Sequence, residues 1–146
     1  TKGRSKKILV EKYPCAQDGS LPKDYKIYCF DGEAKAVLVI LDRDSAKKAG
    51  FYSREWEYLG INNNEEYLPL DHVEKPKSLE QMIYCAEILS KGIPFVRIDF
   101  YDIEGVPVFG EMTFSSASGF FVSTVDIDGH SMAEYIDLHK EYPLFC

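Results

Sequence analysis

Asp99 lies inside an otherwise apolar run, 95–101, and Glu111 lies in a second such run a short distance on. Runs rich in Val, Ile, Phe and Tyr read as strands. With a period of two, Asp99 shares a face with Arg97 and Tyr101, while Val96, Ile98 and Phe100 take the core face. Glu111 shares its face with Thr113, and Met112 and Phe114 take the other. Glu104-Gly105 between the runs is a turn signal, so the two form a hairpin. Asp99 and Glu111 stand at nearly matched distances from that turn and are expected close together across it. Paired carboxylates repel unless a cation lies between them. Arg97 can neutralise one of them, and a divalent ion can neutralise both. Magnesium prefers oxygen ligands, keeps several waters and is typically held by one or two carboxylates together with substrate phosphates. The same pattern also fits a solvated sheet face with an Arg–carboxylate pair, which adds little stability.

The elements that must position these residues follow from periodicity. A first strand is expected over 8–13. A second, 25–30, alternates, and Asp31-Gly32 turns it into a third, 35–41, because a D-G pair between two strand-like runs is a strong hairpin signal. The pattern weakens over 44–75, where Phe51, Tyr52 and Trp56 read as anchors of a long irregular segment and Asn62-Asn63-Asn64 as a turn. A helix is expected over 79–91. Leu79, Met82, Ile83, Ala86 and Leu89 fall on one face, Ser78 and Gln81 offer a capping box, and Gly92 is a stop. The hairpin of Asp99 and Glu111 follows, then a Ser- and Gly-containing loop, 115–119. A short helix is expected over 131–140, capped by Ser131 with Glu134. Hairpin-joined strands with two helices predict an α+β fold, a largely antiparallel sheet with helices on one face, in a single domain over 1–146.

Composition narrows the function. The chain has 146 residues, 45% hydrophobic and 14% aromatic, enough to bury a core. Its net charge is −7, from 17 basic and 24 acidic residues. A nucleic-acid partner is therefore not expected, because phosphate backbones demand basic patches. No apolar run is long enough for a membrane span, and no signal-peptide h-region follows the first residues. Cys15, Cys29, Cys85 and Cys146 form no C-x-x-C pair and read as free thiols of a cytoplasmic protein. His72, His130 and His139 are scattered. No Walker A, G-x-G-x-x-G or G-x-S-x-G motif occurs.

Arg97-Ile98-Asp99, then a hairpin and Gly110-Glu111-Met112-Thr113, resembles the end of an ATP-grasp domain, with its R-x-D and E-x-N motifs. A longer resemblance, to the TupA-like ATP-grasp family, covers nearly the whole chain. It is carried by the stretches Pro22-Lys23-Asp24-Tyr25-Lys26-Ile27-Tyr28-Cys29-Phe30-Asp31-Gly32, Leu89-Ser90-Lys91, 95–101 and Phe109-Gly110-Glu111-Met112-Thr113-Phe114. The resemblance implies ATP and Mg2+ as cofactors, with Asp99 and Glu111 as metal ligands. Thr113 falls at the third ligand position, where the family carries Asn, and Ser115, Ser116 and Ser118 lie nearby. It further implies Arg97 as a phosphate contact and Arg43 as a basic residue near the reaction centre. Glu11, in the strand 8–13, is similar to the hinge residue beside adenine. Asp24 is placed like the ribose-binding acid, and Lys26, on the same strand face, is within reach of a phosphate.

The activity implied is ATP-dependent carboxylate–amine ligation through an acyl phosphate, in cell-surface polysaccharide biosynthesis. Because the chain begins near the hinge strand, a fragment of a longer protein is expected, poorly active alone. A non-catalytic binding or scaffold module, or a glycosyltransferase-like protein with an Asp-based metal site, stays open at this point. The acceptor and the oligomeric state are not set by the sequence.

Overall fold

The computed structural model describes residues 8, 10, 22–43, 46–60, 67–115, 125–137 and 139–141. Its centre is a hairpin of β1 (Lys23–Phe30) and β2 (Glu33–Arg43). Asp31 (φ 52°) and Gly32 (φ 85°) both take left-handed backbone, the two-residue turn whose twist matches antiparallel strands. Glu104 (φ 56°) and Gly105 (φ 84°) repeat this between β6 (Phe95–Ile103) and β7 (Val106–Thr113). Both hairpins fall where the D-G and E-G pairs predict them.

Three short elements complete the sheet: β3 (Ala46–Ser53), β4 (Tyr58–Gly60) and β5 (Leu68–Pro69). The strand order is β4-β3-β2-β1-β6-β7, with β5 also on β3, and every pairing is antiparallel except β3 with β5. The segment read as irregular over 44–75 is therefore partly sheet, and Phe51 and Tyr52 lie in β3. Lys47-Lys48-Ala49-Gly50 masks the strand signal, because its side chains have little β preference and only pairing with β2 extends it. Trp56 is an anchor as expected. It sits in left-handed backbone (φ 78°), stacks on Tyr52 with ring centroids 4.6 Å apart, and donates Nε1–H to Val73 O at 2.8 Å.

Helix α1 (Leu79–Ser90) buries Leu79, Met82, Ile83 and Ala86 against Tyr25, Ile27, Cys29, Val37, Val39, Val96, Ile98 and Phe100 of the sheet. Burial of each large apolar side chain here contributes about 1.5–3 kcal/mol. The expected capping box is not formed. Ser78 gives its hydroxyl to Asp102 Oδ2 at 2.5 Å, and Asp102 Oδ1 accepts Gly105 N at 2.8 Å. One carboxylate thus ties the start of α1 to the turn of the β6–β7 hairpin.

The opposite sheet face carries a second cluster. Tyr28, Phe30, Ala36 and Phe51 pack with Val125, Ile127 and Met132. The last two belong to a hairpin of β8 (Asp126–Ile127) and β9 (His130–Ser131) and to the 3-10 turn Met132–Tyr135 that follows it. The helix expected over 131–140 is this single turn, because the backbone returns to an extended conformation at Ile136. Its Ser131/Glu134 capping box is present. The α+β, largely antiparallel fold is as the sequence predicts, with α1 on one face.

Of the strand expected over 8–13, only Ile8 and Val10 are described; neither is in a strand and both are exposed. Among the described residues no helix is long and apolar enough to cross a membrane.

Candidate functional site

Beside the second cluster the same sheet face turns from aromatic to charged. On β1 the side chains of Asp24 and Lys26 continue the row begun by Tyr28 and Phe30, as period-two alternation requires. Lys26 stands directly opposite Asp99 of β6, and Tyr28 opposite Arg97. β7 adds Thr113, opposite Arg97. Three adjacent strands therefore project Asp24, Lys26, Arg97, Asp99, Glu111 and Thr113 from one side of the sheet.

A β-bulge decides that Glu111 joins them. From the Glu104-Gly105 turn the register runs regularly from Ile103↔Val106 to Phe100↔Phe109, and it shifts by one residue before Ile98↔Met112 and Arg97↔Thr113. Kept regular, it would set Glu111 opposite Ile98, on the face of α1. The extra residue lies at Gly110 and Glu111, both opposite Asp99. Gly110 suits that place, since a Cβ there would lie 3.0 Å from the Asp99 carbonyl oxygen and 3.4 Å from the Tyr101 ring.

The contacts are dense. Lys26 Nζ lies 2.6 Å from both Asp24 Oδ2 and Asp99 Oδ2. Arg97 grips Asp99 in a two-pronged pair, Nε to Oδ1 at 2.7 Å and Nη2 to Oδ2 at 2.8 Å. Nη2 also reaches Glu111 Oε1 and Thr113 Oγ1, each at 3.1 Å, and Thr113 Oγ1 lies 3.3 Å from Glu111 Oε1. Asp99 is the one charged residue among the described residues that is fully buried, with its side chain 4% exposed, whereas Glu111 is 65% exposed. The network thus runs from a buried root to a solvent-facing tip.

Electrostatics follow burial and pairing. Burial pulls the Lys26 ammonium towards neutrality, but Asp24 and Asp99 outweigh it and hold it above its ordinary value. Arg97 is likewise opposed by burial and held up by Asp99. Burial raises Asp24 despite Lys26, and its buried Oδ1 has no hydrogen-bond partner among the described residues. Tyr28, whose phenol oxygen accepts from Arg97, is pushed up to about 12 by burial. Replacing a buried ion network by apolar residues of similar volume is often neutral or stabilising. Stability alone is therefore a weak reason for this face to be charged.

Six of the eight site residues expected from the sequence come together here: Asp24, Lys26, Arg97, Asp99, Glu111 and Thr113. Arg43 ends β2, opposite Ala46, and its side chain lies outside the described residues, as do Glu11, Ser116 and Ser118. Ser115 is exposed. Sequence reasoning missed Tyr28, although the alternation Asp24, Lys26, Tyr28 places it on the site face. It also left Lys26 and Asp99 unpaired, because they are 73 residues apart.

Among the described residues no group of three or more His, Cys, Asp or Glu side chains is assembled for a metal. Two carboxylates and a hydroxyl, from Asp99, Glu111 and Thr113, nonetheless fit magnesium in donor type, with waters or phosphate oxygens completing its shell.

An antiparallel sheet backed by one helix, with this charged R-x-D/G-E-x-T hairpin, fits one lobe of the ATP-grasp class. A family model described as TupA-like ATPgrasp matches residues 2–132, and the chain belongs to that family. Family membership brings an ATP-grasp fold and nucleotide binding. No curated protein and no solved structure matches the chain.

Proposed function

We propose that this chain supplies the metal- and phosphate-facing part of an ATP-grasp ligase, a cytoplasmic enzyme of cell-surface polysaccharide biosynthesis that joins a carboxylate to an amine through an acyl phosphate. The observation that carries the reading is the charged face itself. Two cations and three carboxylates converge on one side of the sheet, buried at Asp99 and open to solvent at Glu111. An acidic protein that binds a polyanion needs such local cations.

In this reading Lys26 and Arg97 bind the phosphate oxygens, and Arg97 orients the phosphoryl group that is transferred. Asp99 and Glu111, with the Thr113 hydroxyl beside them, are the residues that would hold magnesium. Magnesium, when bound, neutralises charge on the phosphates as the phosphoryl group moves. Asp24 faces the sugar. Its carboxylate is partly open to solvent, and one of its oxygens has no donor among the described residues; a ribose hydroxyl donates to this group, and leaving such an acceptor unsatisfied costs about 1–3 kcal/mol. Arg43 and Glu11 complete the assignment, at the reaction centre and beside adenine.

Calorimetric titration with ADP and ATP, with and without magnesium, tests this. Binding that requires magnesium and is lost in the Asp99→Asn/Glu111→Gln double variant supports it. A folded protein that binds no nucleotide at millimolar concentration overturns it.

A further inference from the structure

Two neighbouring carboxylates leave a position between them that a cation must fill. Here the chain fills it. Arg97 Nη2 alone touches Asp99 Oδ2, Glu111 Oε1 and Thr113 Oγ1, at 2.8, 3.1 and 3.1 Å. These belong to the same three side chains that would hold magnesium. Nε of the same guanidinium donates to the second oxygen of Asp99, and the guanidinium also donates to the Tyr28 phenol oxygen on β1. The planar fork of Arg is thereby held through Nε and Nη2.

A divalent ion cannot share this arrangement. A guanidinium and a doubly charged ion at ligand distance repel strongly. Asp99 Oδ2 also already accepts from both Lys26 and Arg97. Magnesium gives up its waters reluctantly and gains little from carboxylates already neutralised.

We propose that Arg97 is a built-in occupant of the divalent-cation position, which keeps magnesium out of the nucleotide-free protein and leaves when phosphate arrives. The exchange is balanced in kind, because the guanidinium gives up carboxylate partners and takes phosphate oxygens, with which it makes equally good two-pronged pairs. The ion then enters with the nucleotide and not before it. Occupancy also stops Asp99 and Glu111 from repelling each other, so the fold does not depend on metal. The displacement step rests on the nucleotide-binding reading; the exclusion of metal does not.

The test uses manganese as the probe, read by the loss of the free-ion electron paramagnetic resonance signal, on nucleotide-free protein. Arg97→Met is expected to bind manganese at least about tenfold tighter than the unmodified protein, and adding Glu111→Gln is expected to cancel that gain. Equal affinity of folded Arg97→Met and the unmodified protein overturns the proposal, as does a gain that survives Glu111→Gln. Should Arg97→Met fail to fold, the Nε–H resonance of Arg97 in the unmodified protein decides. A signal unmoved by millimolar magnesium alone supports occupancy, and one shifted by magnesium alone overturns it. ATP added with manganese separates the two readings. If the unmodified protein binds no manganese with ATP while Arg97→Met still gains it alone, the nucleotide reading fails and the occupant role stands.

Discussion

Phe109 and Glu111 are two residues apart in one strand yet face opposite sides of the sheet. Phe109 meets Phe100 edge-on on the side of α1, with ring centroids 6.1 Å apart, whereas Glu111 meets Arg97 on the charged side. Residues at i and i+2 of a regular strand share a face. The bulge at Gly110 breaks that rule, and it lets one edge strand both pack on the core and complete the site.

Gly110 is therefore a sensitive position. Gly110→Val sets a Cβ against the Asp99 carbonyl oxygen, and we expect a loss of about 1–3 kcal/mol in denaturant unfolding. Deleting Gly110 removes the extra residue and leaves Phe109 and Glu111 on their present faces by simple alternation. The deletion is expected to unfold at higher denaturant than Gly110→Val. The reverse order would count against the bulge as the device that turns Glu111.

Buried and exposed members of the network should separate stability from binding. Lys26→Met removes one of the two cations that pair with buried Asp99 among the described residues, and a loss of roughly 2–4 kcal/mol is expected, short of the full cost of an unpaired buried charge. Glu111→Gln alters an exposed pair and should cost less than about 1 kcal/mol. Unfolding midpoints measure both. In calorimetry Glu111→Gln should nonetheless weaken magnesium-dependent nucleotide binding. A Glu111→Gln protein as unstable as Lys26→Met would contradict the burial gradient.

Asp24 carries a pH signature. Burial raises its folded value above that of the unfolded chain, so its contribution to stability is full below the unfolded value and is lost as pH rises through the folded one. At pH 7 its ionised form is a cost. Asp24→Asn should therefore melt at or above the temperature of the unmodified protein at pH 7, with the difference shrinking towards pH 4. It should weaken nucleotide binding at the same time. A variant that melts lower at pH 7 would show that the ion pair with Lys26 outweighs the burial.

Thiol reactivity reports the core. Cys29 is buried on the face of α1, and burial raises its thiol to about 11, against a partly exposed Cys85. At pH 8 iodoacetamide should modify Cys85 well before Cys29, as read by peptide mass spectrometry, because the thiolate is the reacting form. Equal rates would mean that α1 opens readily from the sheet.

Short-range features were legible in the sequence. Asp31-Gly32 and Glu104-Gly105 mark turns that need left-handed backbone, α1 follows from helical spacing, and alternation in β6 puts Ile98 and Asp99 on opposite faces. Each depends on neighbours within a few residues, where sterics and periodicity act directly. The tertiary structure alone decided what crosses between elements. Ser78 turned from capping its own helix to Asp102. β3 became a strand because β2 offered it a partner. Lys26 found Asp99 because β1 lies beside β6. The bulge turned Glu111 towards Arg97 because Phe109 and Met112 both went to the core side, which leaves one residue too many for a regular ladder. Those outcomes depend on competition for burial and charge between segments far apart in the chain, and no local pattern records which partner wins.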